Sequence, residues 1–171
     1  MEQKNRAIIL ELLHDMEDFA QLKKLECPPI YLLGGSGCIV GGYINRATAD
    51  IDLLDIGFPA SAGRVLKLLG QFDVLDPYVT TVASRFEKRA IKQEEFKYIS
   101  IFVLSKEDII STKIGRYSEK DINDIKELMK DCDKTLLIEL IQNILSRTDI
   151  SVKVQQEFKK NILRFKEDFH V

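Results

Sequence analysis

Only three cysteines occur in this 171-residue chain, Cys27, Cys38 and Cys132, and no two of them share a short spacing. That scarcity excludes a disulfide-stapled scaffold and a cysteine zinc site, and it points to a reducing, cytoplasmic setting. Long apolar runs are missing too. Nothing approaches the ~20 residues that a membrane span needs, and acids interrupt the apolar stretch of MEQKNRAIILELLHDMEDF, where a secretory signal would carry none. Charge of either sign is in little excess. A net charge of −2 excludes broad, non-specific attraction of nucleic acid, though not a local basic groove. Repeats, low-complexity tracts and linkers are also absent. What remains is an ordinary globular composition, 45% hydrophobic and 30% charged, in a chain long enough to bury a core. The expectation is a soluble protein with no membrane association.

The periodicity of apolar residues gives the element order. Ile8, Ile9, Leu12, Leu13, Met16, Phe19 and Ala20 recur at helical spacing within Asn5–Leu25, before Pro28 and Pro29. Ile30–Leu33 is a short apolar run ended by glycines and reads as a buried strand. A short helix over Ser36–Tyr43, a second strand over Ile51–Ile56 and a helix over Ala60–Phe72 follow. Strand-like pieces fall at Tyr78–Ala83, Arg85–Ile91 and Tyr98–Leu104. Ser105 and Ser118 each stand three residues before an acid, a variant of the capping box, which starts helices near Lys106 and Glu119 with a break around Gly115. Two further helices are expected over Thr135–Ser146 and Val152–Phe169. The fold class is α+β, a small antiparallel or mixed sheet flanked by helices. Its expected division is a core over residues 1–130, including the N-terminal helix, and a helical extension over 131–171.

One segment carries chemistry: YLLGGSGCIVGGYINRATADIDLL, Tyr31 to Leu54. An apolar strand runs into Gly34-Gly35-Ser36, a helix follows, and the next strand opens with Asp50-Ile51-Asp52. Adjacent glycines let backbone amides approach a ligand closely. Ser36 would cap the following helix and offer a hydroxyl to a phosphate oxygen, at a helix start that favours anions. Asp50 and Asp52, two apart on a strand, face one side. Paired carboxylates invite a cation, and oxygen ligands favour Mg²⁺ or Mn²⁺. A metal beside a phosphate-binding turn suits phosphoryl or nucleotidyl transfer. Either piece alone is ordinary, a turn or an exposed strand edge. Their order, with 13 residues between Ser36 and Asp50, is not ordinary. A dinucleotide-binding reading fails on spacing, since Gly35, Gly37 and Gly41 do not form G-x-G-x-x-G.

That order resembles the signature of the DNA polymerase beta-like nucleotidyltransferase superfamily. Arg46-Ala47-Thr48-Ala49-Asp50-Ile51-Asp52 is similar to the R-x-T-x-D-I-D run of its abortive-infection toxin-type (AbiEii-like) branch. A second block, Lys113-Ile114-Gly115-Arg116 through Asp121 and Asp124, resembles that branch's later run of Lys, Arg and Asp-x-x-Asp. The resemblance implies a nucleotidyltransferase-type fold and transfer of a nucleoside monophosphate from an NTP to an acceptor hydroxyl. Asp50 and Asp52 would hold the metal, and Gly34, Gly35, Ser36, Arg46 and Thr48 would hold the nucleotide. The acceptor would be RNA, such as a tRNA end, or a protein, with a cognate antitoxin or toxin as partner. A small-molecule acceptor such as an antibiotic stays open.

Lys113 and Arg116, three apart on one helix face, could reach the nucleotide's β- and γ-phosphates and help pyrophosphate leave, with Lys113 as a catalytic residue, or could simply end a helix whose dipole favours cations. Asp121 and Asp124 either orient them through ion pairs or form a solvated face. Many family members carry a third carboxylate on a later strand. The matching position is Ser100, and Glu94 or Glu95 would serve only in another register. A degenerate, binding-only component of antitoxin type therefore stays open. His14 reads as a surface histidine, and the Arg164…His170 spacing of certain ribonucleases reads as chance. The basic run Arg85–Arg89 and Lys159, Lys160 and Arg164 read as solvated faces before they read as a nucleic-acid groove.

Overall fold

Asn5 accepts the Ile8 amide on its side-chain oxygen and opens α1, Arg6–Leu22, whose Ile9, Leu13, Met16 and Ala20 are buried. The helix ends without help from the prolines. Lys24 takes a left-handed φ of 51°, and the amides of Lys24 and Leu25 return to the carbonyls of Gln21 and Ala20, which closes the last turn. Glu17 turns inward from the same helix. Its Oε1 accepts the amides of Lys97, Tyr98 and Ile99, so a buried acid is satisfied by main chain.

The computed structural model describes residues 3–171. They fall into two units, the chain up to Leu75 with Ala90–Leu104, and Asp76–Arg89 with Ser105–Val171. The first unit holds a five-stranded mixed sheet in the order β3-β2-β1-β5-β4. β1, Ile30–Leu33, lies at its centre with all four residues buried, as a continuous apolar run requires. β2, Ile51–Leu54, pairs antiparallel to β1 with Leu33 opposite Asp52. β5, Ile101–Val103, runs parallel to β1, and the two-residue β4, Ile91–Lys92, closes that edge. β3, Phe72–Leu75, runs parallel to β2 on the other edge. Helix α2, Gly34–Val40, springs directly from β1.

Three expectations are corrected in this region. The helix expected over Ala60–Phe72 is a run of short turns, 3-10 over Ala60–Ala62, α-helical over Gly63–Leu66 (α3) and 3-10 over Lys67–Leu69. Gly70, with φ 71°, stops it, and Phe72 starts β3. Tyr78–Ala83 and most of Arg85–Ile91 are not strands. Thr80 and Thr81 are buried, but Thr80 Oγ1 donates to the Asp76 carbonyl at 2.8 Å, a local side-chain bond that competes with a ladder.

The second unit is helical: α4 Lys106–Arg116, α5 Glu119–Leu128, α6 Lys134–Ser146 and α7 Val152–Phe169. Ser105 and Ser118 cap α4 and α5, and Ser118 and Asp121 form a full capping box. The break between those helices comes at Tyr117, left-handed with φ 50°, and not at Gly115. Gly115 lies inside α4 and its missing side chain makes room for Thr81, since a Cβ there would lie 2.3 Å from Thr81 Oγ1. Ile109, Ile114, Ile125, Leu137, Phe158 and Phe165 are among the buried apolar residues of this unit. Among the described residues, no helix is long and apolar enough to cross a membrane.

Candidate active site

β1 delivers the chain to Gly34, which takes φ 60° as α2 begins. The left-handed conformation and the absent side chain are both needed, because a Cβ at Gly34 would stand 1.9 Å from Asp52 Oδ2. Gly35 is held as closely. A Cβ there would meet Thr48 Oγ1 at 2.9 Å and Arg46 Nη2 at 3.0 Å. The Gly-Gly turn therefore packs against both the Arg46–Thr48 loop and Asp52 of β2. The Gly35 amide faces Asp52 Oδ2 at 3.3 Å, so the helix start already meets a carboxylate oxygen.

Ser36 takes a different part from the one expected of it. α2 begins at Gly34 with no side-chain cap, and Ser36 is wholly buried. Its hydroxyl donates to the Leu33 carbonyl at 3.1 Å and accepts the Asp52 amide at 2.9 Å. It fastens β2 to the turn. Through that bond it fixes the backbone that carries Asp52.

Asp52 lies within β2, while Asp50 stands one residue before it; both are half-buried. Asp50 Oδ1 is buried with no hydrogen-bond partner among the described residues. Leaving a carboxylate oxygen in that condition is costly, and the usual resolutions are an ordered water or a bound cation. An orphaned carboxylate oxygen beside a second half-buried carboxylate fits a hard divalent ion such as Mg²⁺ or Mn²⁺. Asp50 and Asp52 are the residues that could hold it.

The sheet order adds a residue that sequence reasoning missed. The register of β2 and β3 sets Asp73 directly opposite Asp52, so their side chains share a face of the sheet. Asp73 is exposed. Ser100, where the third acid was sought, precedes β5, the neighbour of β1 and not of β2, and its carbonyl accepts the Ile30 amide. Glu94 and Glu95 are exposed between β4 and β5, and Glu95 lies 3.7 Å from the exposed His14. An apolar-Asp-apolar triplet, Phe72-Asp73-Val74, was the available signal. No three His, Cys, Asp or Glu side chains among the described residues already form a ready-made metal cluster.

The second block is resolved within the helical unit. Lys113 is 1% exposed, and its ammonium lies 2.6 Å from Asp124 Oδ2 and 3.3 Å from Asp121 Oδ1. Arg116, largely exposed, reaches Asp121 Oδ1 at 2.9 Å. Asp121 and Asp124 are buried, so the ion-pair alternative holds and the solvated-face alternative does not. Burial works to raise the Asp121 carboxyl, but the Ser118 hydroxyl, Arg116 and Lys113 outweigh it and hold the group below its ordinary value. Of the basic residues, Arg85, Lys88, Lys159 and Lys160 are exposed, while two others are engaged. Arg89 grips the fully buried Asp108 with two 2.8 Å bonds, and Arg164 stacks 5.1 Å from the centre of the Tyr117 ring.

A mixed sheet with a glycine turn at the mouth of its central strand and paired acids on the antiparallel neighbour defines a nucleotidyltransferase-type α+β fold. The chain belongs to the family described as nucleotidyltransferase of unknown function (DUF6036), which matches residues 9–169. No curated protein and no solved structure matches it.

Proposed function

We propose that the chain is a metal-dependent nucleotidyltransferase that moves a nucleoside monophosphate from an NTP to an acceptor hydroxyl. The observation that carries this is the buried Oδ1 of Asp50, without a hydrogen-bond partner among the described residues, two residues before the Asp52 carboxylate that packs on the glycine turn. Asp50 and Asp52 would hold Mg²⁺ or Mn²⁺. Bound there, the ion supplies charge neutralisation on the phosphate oxygens and alignment of the triphosphate. Gly34 and Gly35 let the turn close against Asp52, Thr48 and Arg46, so that the triphosphate would be held at the edge of that cluster, with Arg46 and Thr48 lining the same turn. Asp73, in register with Asp52, takes the proton from the acceptor hydroxyl as its oxygen bonds to the α-phosphorus. The bond between the α-phosphorus and the bridging oxygen breaks, and pyrophosphate leaves.

Lys113, which the resemblance places on the nucleotide, is better read as a brace between α4 and α5, because both neighbouring acids already claim its ammonium. Asp121 and Asp124 would share that bracing part, with the largely exposed Arg116 paired to Asp121. The similarity of Arg46–Asp52 to the abortive-infection toxin branch favours RNA, such as a tRNA end, or a protein as acceptor. It also favours a cognate antitoxin as partner and a place in the cytoplasm. Incubating the protein with each α-labelled NTP, Mg²⁺, total RNA and lysate tests the assignment. A labelled RNA or protein band is the expected result. Nucleotide bound without a labelled acceptor would instead mark a binding module.

A further inference from the structure

One residue ties the segment before α1 to the loop that carries Asp50. The Lys4 amide donates to the Thr48 carbonyl at 2.7 Å, and its carbonyl accepts the Thr48 amide at 2.9 Å, an isolated antiparallel bridge. The half-buried Lys4 side chain then carries its ammonium to the Ala49 carbonyl at 2.6 Å. Three bonds from Lys4 thus hold the two residues that lead directly into Asp50.

Within that loop Arg46 Nη1 donates to the Ala47 carbonyl at 2.7 Å. Residues 46–50 form no strand beyond the bridge itself, and the β2 ladder begins at Ile51. Asp50 Oδ1 makes no hydrogen bond among the described residues, so nothing grips that oxygen from the side-chain end. Its place is inherited from the backbone on either flank, β2 on one side and Ala49 on the other. The anchor behind Lys4 is firm. Asn5 caps the 17-residue α1, and Arg6 Nε donates to the Val40 carbonyl, so the start of α1 is tied to the end of α2 as well.

We infer that Lys4 is a positioning residue for Asp50, and that the N-terminal segment is a clamp which presets the cation site. This rests on the reading of Asp50 and Asp52 as cation ligands. Lys4 acts through Thr48 and Ala49 and not by touching the cation, in the way that groups holding a ligand from behind tune metal affinity.

Mn²⁺ binding to the full-length protein, followed by the electron paramagnetic resonance signal of the free ion, tests the clamp without requiring turnover. The wild type is expected to bind, and Asp50→Asn to bind far more weakly. Lys4→Met, which keeps the main-chain bridge and loses the ammonium, is expected to weaken binding about ten-fold, at the lower end of such losses. Lys4→Arg is expected to recover most of it. Thermal melts identify any variant that unfolds. Should Lys4→Met melt below the assay temperature, Lys4→Gln, too short to reach Ala49, carries the same expectation. Wild-type affinity in the folded Lys4 variant, alongside Asp50-dependent binding in the wild type, would overturn the clamp alone. Absence of Mn²⁺ binding in the wild type, or equal binding by Asp50→Asn, would remove the cation site and the clamp with it.

Discussion

Gly34 sits at φ 60° with no room for a side chain, and the atom in the way is Asp52 Oδ2. A left-handed alanine costs roughly 1–2 kcal/mol, which a folded domain can absorb. The larger effect falls on Asp52, which must move to admit the methyl group. Gly34→Ala is therefore expected to keep a cooperative melt and lose about 10²-fold in nucleotide transfer, the scale set by a 1 Å misplacement. Parallel melts and labelled-NTP assays check it. At this scale the sequence is only partly readable. Gly34, Gly35, Asp50 and Asp52 announce themselves because glycine freedom and paired acids are properties of residue types. The task of Ser36 does not, since a buried hydroxyl has two partners here, Leu33 and Asp52, that only the β1–β2 pairing brings together.

Between α4 and α5 the fold commits a buried lysine to two buried aspartates. Removing one member of such a group leaves charge without a partner, at a cost of about 3–5 kcal/mol. Lys113→Met is expected to lose stability on that order at neutral pH. Asp121, held below its ordinary value of 3.8, contributes stability that is present above that value and lost as pH falls through its lower folded value. The gap between wild type and variant should therefore be widest above pH ~4 and shrink in stronger acid, as denaturant melts across that range will show. The α4–α5 pair was legible from Ser105 and Ser118, whose caps are local. β3 was not, because helical spacing runs on through Leu68 and Leu69 into Gly70, and an edge strand of four residues shows no clean alternation. With β3 unseen, Asp73 could not be placed beside Asp52. Tyr78–Ala83 reads as a strand yet turns, because the Thr80 hydroxyl bonds locally to the Asp76 carbonyl.

Across the chain, the family match spans both units, residues 9–169, while the candidate chemistry gathers in the sheet-bearing one. Fold class was readable from element order alone, because period and punctuation separate helices from strands. Substrate was not, because the acceptor meets surfaces that no local motif specifies. The central claim is that Asp50 and Asp52 serve the transfer of a nucleotide. Its most direct test is transfer of α-labelled nucleotide to the acceptor band by wild type, Asp50→Asn and Asp52→Asn, with Mg²⁺ and matched melts. The account expects each substitution to cost 10²-fold or more, the equivalent of about 3 kcal/mol in the barrier. Label transferred unchanged by both variants would contradict it.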